Sequence, residues 1–203
     1  MKILIDSREQ IPLDFKVEGA ISEITTDGLP IGDYWGLYES GETMPVIFER
    51  KEIADLFGSL TSGMERFKRE IKRAQENNLK LVIIINGTIK DILEGAEYSS
   101  VNGSSILKTL FTLWVKYDVI PVFCRNKTEM KRFILETWSA IGRNYTPGMT
   151  LTNNLLTNLT DQTIGFVVKT TFETDTNGIV ATKHKRAKRV PNKGETSNGT
   201  NFV

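Results

Sequence analysis

The chain has 203 residues, 39% of them apolar, and a formal net charge of +1. That supports a core for one domain of ordinary size, and the most apolar run, Leu81-Val82-Ile83-Ile84-Ile85, falls far short of a membrane span, so no membrane partner is expected. One cysteine, Cys124, excludes internal disulfides and one histidine, His184, excludes a His-based metal site, which leaves oxygen ligands and favours Mg²⁺ or Mn²⁺ over Zn²⁺.

In chain order, residues 2–6 and 21–26 read as strands. Residues 34–38 and 44–50 read as a hairpin around Glu39-Ser40-Gly41-Glu42, whose glycine and polar residues suit a turn. A helix starts near residue 53, is interrupted over residues 59–63, and resumes over 64–74 with Met64, Phe67, Ile71 and Ala74 on one stripe. Residues 81–85 suit a central strand covered on both faces. A helix over 104–116, a strand over 120–123 and a helix over 127–141 complete an α/β sandwich with a mixed sheet.

Beyond Asn144 the character changes. Residues 145–203 contain 13 threonines and little amphipathic rhythm, so they are expected to be largely disordered, with a hairpin or helix at most over 151–168. They hold seven Lys or Arg against four Asp or Glu, which leaves residues 1–144 slightly acidic. The acid at position 6 comes too early for a signal peptide, and the expected location is cytoplasmic, or nuclear in a eukaryotic host.

Chemistry concentrates near the start. The apolar run Val46-Ile47-Phe48 ends in Glu49, Arg50 and Lys51. Alternation along a strand puts Glu49 and Lys51 on one face. Phosphodiester hydrolysis needs such a pair: an acid to hold a divalent metal, and a cation to steady the attacking water or the crowded phosphorus. Asp33 follows Gly32, and Asp6, Arg8 and Glu9 follow the apolar run Ile3-Leu4-Ile5. Three acidic clusters at strand ends or turns point to a metal-dependent nuclease, although Asp33 alone would read as a turn residue and Glu-Arg-Lys alone as a solvated strand end.

Asp33 and Glu49 are the leading metal ligands, because two strands joined by a hairpin would bring them together. Asp6 is either a further ligand or the partner of Arg8. Lys51 is expected to orient the water, and Asp55 to orient Arg50 or Lys51 from the following helix. Arg66, Lys68 and Arg69 are candidate phosphate contacts, set among Glu65–Arg69 and Arg66–Glu70 pairs. Lys183, Lys185 and Arg186 in the basic run 183–189 are candidates for DNA binding or targeting.

The ordered set Asp6-x-Arg8-Glu9, Gly32-Asp33-Tyr34 and Glu49-Arg50-Lys51-x-x-x-Asp55 resembles the XPF-family structure-specific endonucleases of the PD-(D/E)xK superfamily, over about residues 1–143. The resemblance implies a restriction-endonuclease-like three-layer sandwich and a metal-dependent DNA endonuclease, acting at branches, flaps or forks in repair, recombination or replication. It implies an active-site role for Arg50, placed between Asp6 or Asp55 and a substrate phosphate, with a salt bridge to Asp55 as the plainer role. It brings Glu9 near the ion, and it implies a homodimer or heterodimer through the C-terminal helices. The alternative is a catalytically silent DNA-binding scaffold or partner subunit. Residues 145–203 lack the tandem helix-hairpin-helix motifs of many members, so a stand-alone nuclease domain is expected.

Overall fold

The computed structural model describes residues 1–147, with Tyr98 excepted. Among the described residues, six strands and five helices follow in the order β1 (Lys2–Asp6), β2 (Glu23–Asp27), β3 (Tyr34–Leu37), β4 (Thr43–Glu52), α1 (Ile53–Leu60), α2 (Met64–Glu76), β5 (Lys80–Asn86), α3 (Ile89–Glu94), α4 (Gly103–Tyr117), β6 (Ile120–Cys124) and α5 (Lys127–Asn144). The strands form one sheet in the order β2-β1-β3-β4-β5-β6. β3 lies antiparallel to β1 and β4, while β1–β2, β4–β5 and β5–β6 are parallel. This is the expected mixed sheet. No helix among the described residues is long and apolar enough to cross a membrane.

The sheet has two covered faces because its strands alternate. Ile47, Ile83 and Ile85 pack on one face with Leu56, Phe57 and Leu60 of α1, Phe67, Ile71 and Ala74 of α2, and the buried stripe of α4. Val46, Phe48, Val82 and Ile84 point to the other face, against Met130, Ile134, Trp138 and Ile141 of α5. The unbroken apolar run of β5 follows from burial on both sides. Trp138 is fully buried and donates its indole N–H to the Val46 carbonyl at 3.3 Å. Gly36 of β3 makes room for it, since a Cβ there would lie 2.8 Å from the indole.

Local signals set the helix ends. Asn102 and Asn126 cap α4 and α5 by accepting the N–H groups of Ser104 and Glu129 at 2.8 and 2.9 Å. α3 is an addition to the expected elements. It opens with a capping box in which Thr88 Oγ1 accepts the Asp91 N–H at 3.2 Å and Asp91 accepts the Thr88 N–H at 2.7 Å. The break between α1 and α2 is closed by Gly63, whose N–H reaches the Gly58 carbonyl at 2.9 Å. The expected disorder or added element after residue 147 lies outside the described residues, as do Lys183, Lys185 and Arg186.

Candidate active site

The site lies at one end of the β3–β4 pair. Tyr34 is registered with Phe48, so Asp33 sits just before β3 and opposite Glu49. Four contacts fix it there. The Asp33 N–H donates to the Phe48 carbonyl at 2.7 Å, and the Asp33 carbonyl accepts the Asp6 N–H at 2.8 Å. Its side-chain Oδ2 accepts the Arg50 N–H at 2.7 Å. The preceding Gly32 N–H donates to Oε1 of Glu70, on α2, at 2.9 Å. Gly32 has a φ of +65°, and a Cβ there would lie 2.8 Å from Ile47 Cγ1 and 2.9 Å from the Phe48 carbonyl oxygen. Only glycine suits this turn.

Glu49 and Lys51 share a face, as strand alternation requires, and form an ion pair through Glu49 Oε1 and Lys51 Nζ. Both lie on the side of the sheet covered by α1 and α2. Glu49 is 6% exposed. Its carboxyl is pushed well above the usual range, by burial first and by repulsion from Asp33 second. Burial, outweighing the Arg50 N–H and the Lys51 charge, also pushes Asp33 up to about 6, with Glu9 and Glu70 adding to the rise. Burial works against the Lys51 ammonium as well, but Glu49, Asp33 and Glu70 outweigh it and hold its pKa above the ordinary value. Two carboxyls are thus held where their charges repel, with one ammonium beside them.

Asp6 takes the role of an Arg8 partner. It is 3% exposed, and Arg8 Nε reaches both of its oxygens, at 3.1 and 2.8 Å. Burial works against its charge, but the Arg8 bonds outweigh it and hold the carboxyl below the usual range. Arg8 also donates to the Leu29 carbonyl at 2.6 Å. Among the described residues, no three Asp, Glu, His or Cys side chains are grouped to hold a metal ion. The three-ligand set Asp33, Glu49 and Asp6 is therefore not assembled, because Asp6 is spent on Arg8. The donors that fit a hard divalent cation are Asp33 and Glu49. Hydrogen bonds occupy Oδ2 of one and Oε1 of the other, which leaves each an oxygen to offer.

Arg50 departs from expectation. Its side chain leaves on the opposite face of β4 and is 8% exposed. It pairs with Glu9 at 3.1 Å and with Glu52, and donates to the Ile11 carbonyl at 3.1 Å. Asn86 donates to the other Glu52 oxygen at 2.8 Å. The expected Arg50–Asp55 bridge is absent among the described residues. Asp55 occupies the first turn of α1, where Leu56, Phe57 and Leu60 take the inward positions and turn it to solvent. Glu9 is accordingly the partner of Arg50 and of the Ile11 N–H, at 3.1 Å.

α2 presents Arg66, Lys68 and Arg69 to solvent. The expected Glu65–Arg69 and Arg66–Glu70 pairs do not form among the described residues. Glu65 pairs with Lys68 at 2.7 Å, and Glu70 faces Gly32. Glu70 is the residue that the sequence reading missed. Its place next to Phe67, Ile71 and Ala74, the inward residues of a helix rich in Lys and Arg, was the available signal.

The family model described as "ERCC4 domain" matches residues 5–137. Among solved structures, one described as "XPF from Aeropyrum pernix, complex with DNA" is similar with a TM-score of 0.51 at 20% identity, covering 66% of this chain and 62% of that one. A second, "XPF from Aeropyrum pernix", has a TM-score of 0.49 at 17% identity, covering 79% of this chain and 69% of that one. The chain thus spans less than two thirds of the length of the first, and at this identity the likeness concerns the fold. No curated protein matches the chain.

Proposed function

This chain belongs to the ERCC4 domain family, the XPF family that its motifs resemble, and on that premise we propose that it is a divalent-cation-dependent DNA endonuclease. Its substrates in this reading are branched, flap or fork structures met in repair, recombination or replication. The observation that carries the proposal is the Glu49–Lys51 pair held beside Asp33 at the end of two antiparallel strands. The DNA named with the similar Aeropyrum pernix XPF structure supports DNA as the ligand.

Bound Mg²⁺ or Mn²⁺ would polarise the scissile phosphate and acidify a water. Asp33 and Glu49 would hold it through the oxygens that their hydrogen bonds leave free. In this reading Lys51, paired with Glu49, steadies the attacking water and the charge that builds on the phosphate oxygens. Arg50 supports this arrangement from below: its backbone N–H orients Asp33, while its guanidinium locks the far face of β4. Arg66, Lys68 and Arg69 supply a basic edge for the phosphate backbone. A dimer through the C-terminal helices forms part of the same reading. Most large residues of α4 and α5 are used in this chain's own core, and the exposed large apolar residues of the two helices lie on opposite faces of the sheet: Trp114, Val115 and Tyr117 on α4, and Phe133 on α5.

The test is cleavage of end-labelled flap, fork, four-way junction and linear duplex DNA in Mg²⁺, Mn²⁺ or EDTA. Cation-dependent cutting of the branched substrates over the linear duplex is expected. Binding without cutting in either cation would replace the enzyme by a silent scaffold.

A further inference from the structure

We propose that Glu70 of α2 is a positioning residue for the Asp33–Glu49 pair and part of the charge that draws a divalent cation there. This rests on the nuclease reading above and deepens it. Two observations converge on Glu70. Its Oε1 accepts the N–H of Gly32, the residue whose left-handed conformation sets the entry to Asp33. It is also half-buried beside Phe67, Ile71 and Ala74, the residues that α2 turns inward, where a helix ordinarily places apolar side chains.

Asp33 is fixed on three sides by strand contacts from Phe48, Asp6 and Arg50. The Gly32–Glu70 bond is the one tie from a helix to this turn, among the contacts described above. It joins α2, which carries the exposed Arg66, Lys68 and Arg69, to the turn that presents Asp33. Electrostatically, Asp6 and Arg8 cancel each other, while Asp33, Glu49 and Glu70 outnumber Lys51. The excess negative charge suits a dication better than it suits an empty site. Glu70 need not touch the ion, since groups behind the ligands tune both ligand position and affinity.

Two substitutions separate the roles. Glu70→Gln keeps an oxygen for the Gly32 N–H and removes the charge. Glu70→Ala removes both, and Glu76→Gln at the exposed end of the same helix is the control. Mn²⁺ binding is measured by titration calorimetry without DNA, and flap cleavage is measured across a Mn²⁺ series. For Glu70→Gln, Mn²⁺ affinity should weaken about 10–100-fold, and saturating Mn²⁺ should restore most of the cleavage that this variant loses. Glu70→Ala should stay slow at saturating Mn²⁺, because Asp33 is no longer held. Unchanged Mn²⁺ affinity in Glu70→Gln overturns the charge role. Wild-type cleavage by Glu70→Ala at saturating Mn²⁺ overturns the positioning role. If the wild-type chain itself neither binds Mn²⁺ nor cuts, the nuclease reading fails first and this inference falls with it.

Discussion

Arg50 serves Asp33 through its backbone and not through its guanidinium. The N–H reaches Asp33 Oδ2 at 2.7 Å, whereas the side chain turns to the other face of β4 and binds Glu9 and Glu52. The residue's support for Asp33 and its buried charge pairing are therefore separable by mutation.

Arg50→Ala should unfold more easily. It keeps the backbone bond to Asp33 but leaves Glu9, 12% exposed, without its partner. Removing one member of a buried pair costs about 3–5 kcal/mol, and the partial exposure of Glu52 places the expected loss near the lower end. Urea denaturation monitored by circular dichroism gives the number. Lost cleavage with unchanged stability would instead place the guanidinium on DNA.

Asp33→Asn should abolish cleavage and stabilise the cation-free protein. The amide oxygen can still accept the Arg50 N–H, while a carboxyl with a raised pKa is removed. The sign follows from proton uptake: Asp33 binds its proton more tightly folded, up to about 6, than unfolded. Its favourable contribution is complete below the unfolded carboxylate pKa of about 3.9 and is lost as pH rises through about 6. In EDTA the variant's Tm advantage should thus be small at pH 4 and greatest above pH 7. It should reach on the order of 1 kcal/mol, or about 2–4 °C. Cleavage should fall by about 10²–10³ or more. A wild-type turnover would remove Asp33 from the mechanism.

Lys51→Ala should separate binding from chemistry. The ammonium neutralises carboxylates that a cation would otherwise neutralise, so Mn²⁺ affinity should be retained or increased while turnover drops by about 10²-fold. In EDTA the variant should be less stable than wild type, because Glu49 loses its partner, and Mn²⁺ should narrow the gap. Joint loss of Mn²⁺ binding and cleavage would mean that Lys51 holds the site together.

A chain ending after Pro147 should fold and keep cation binding, since every assigned ligand lies before residue 56 and α5 is complete at Asn144. It retains Tyr145, which packs against the core. It loses five Lys or Arg within residues 183–189, so the slope of log affinity against log salt should become shallower by up to ~4, at ~0.9 per phosphate contact. An unchanged slope on a folded, active protein would assign the basic run to targeting.

The hairpin, the central strand and the long helices were legible because each carries a complete local pattern. Val46 to Phe48 is an apolar run that ends in three charged residues, and residues 81–85 are apolar throughout. α3 escaped because it has six residues, although Thr88 and Asp91 spell its cap. The motif places Arg50 beside Asp6 or Asp55, whereas its partners are Glu52 and Glu9, the latter 41 residues away. Nothing local announces such a contact; it follows from β1 and β4 both lying beside β3. The i,i+4 rule pairs Glu70 with Arg66, as on a solvated face, although Glu70 borders the inward stripe of Phe67, Ile71 and Ala74.

The β3–β4 hairpin gathers Asp33 and Glu49 at its open end and makes its turn at the other. From Glu49 back to Thr43 the strand runs about 20 Å, at roughly 3.3 Å per residue. Glu39 in that turn is tied to the amino terminus and to Ser22, and Ser40 to Glu42, whereas a Cβ at Gly41 would meet no atom within 4 Å. That tip can accept a fluorescent reporter or a short peptide tag without reaching the site. A dye placed there would move rigidly with the two strands that carry Asp33 and Glu49, giving an optical ruler for the approach of labelled DNA.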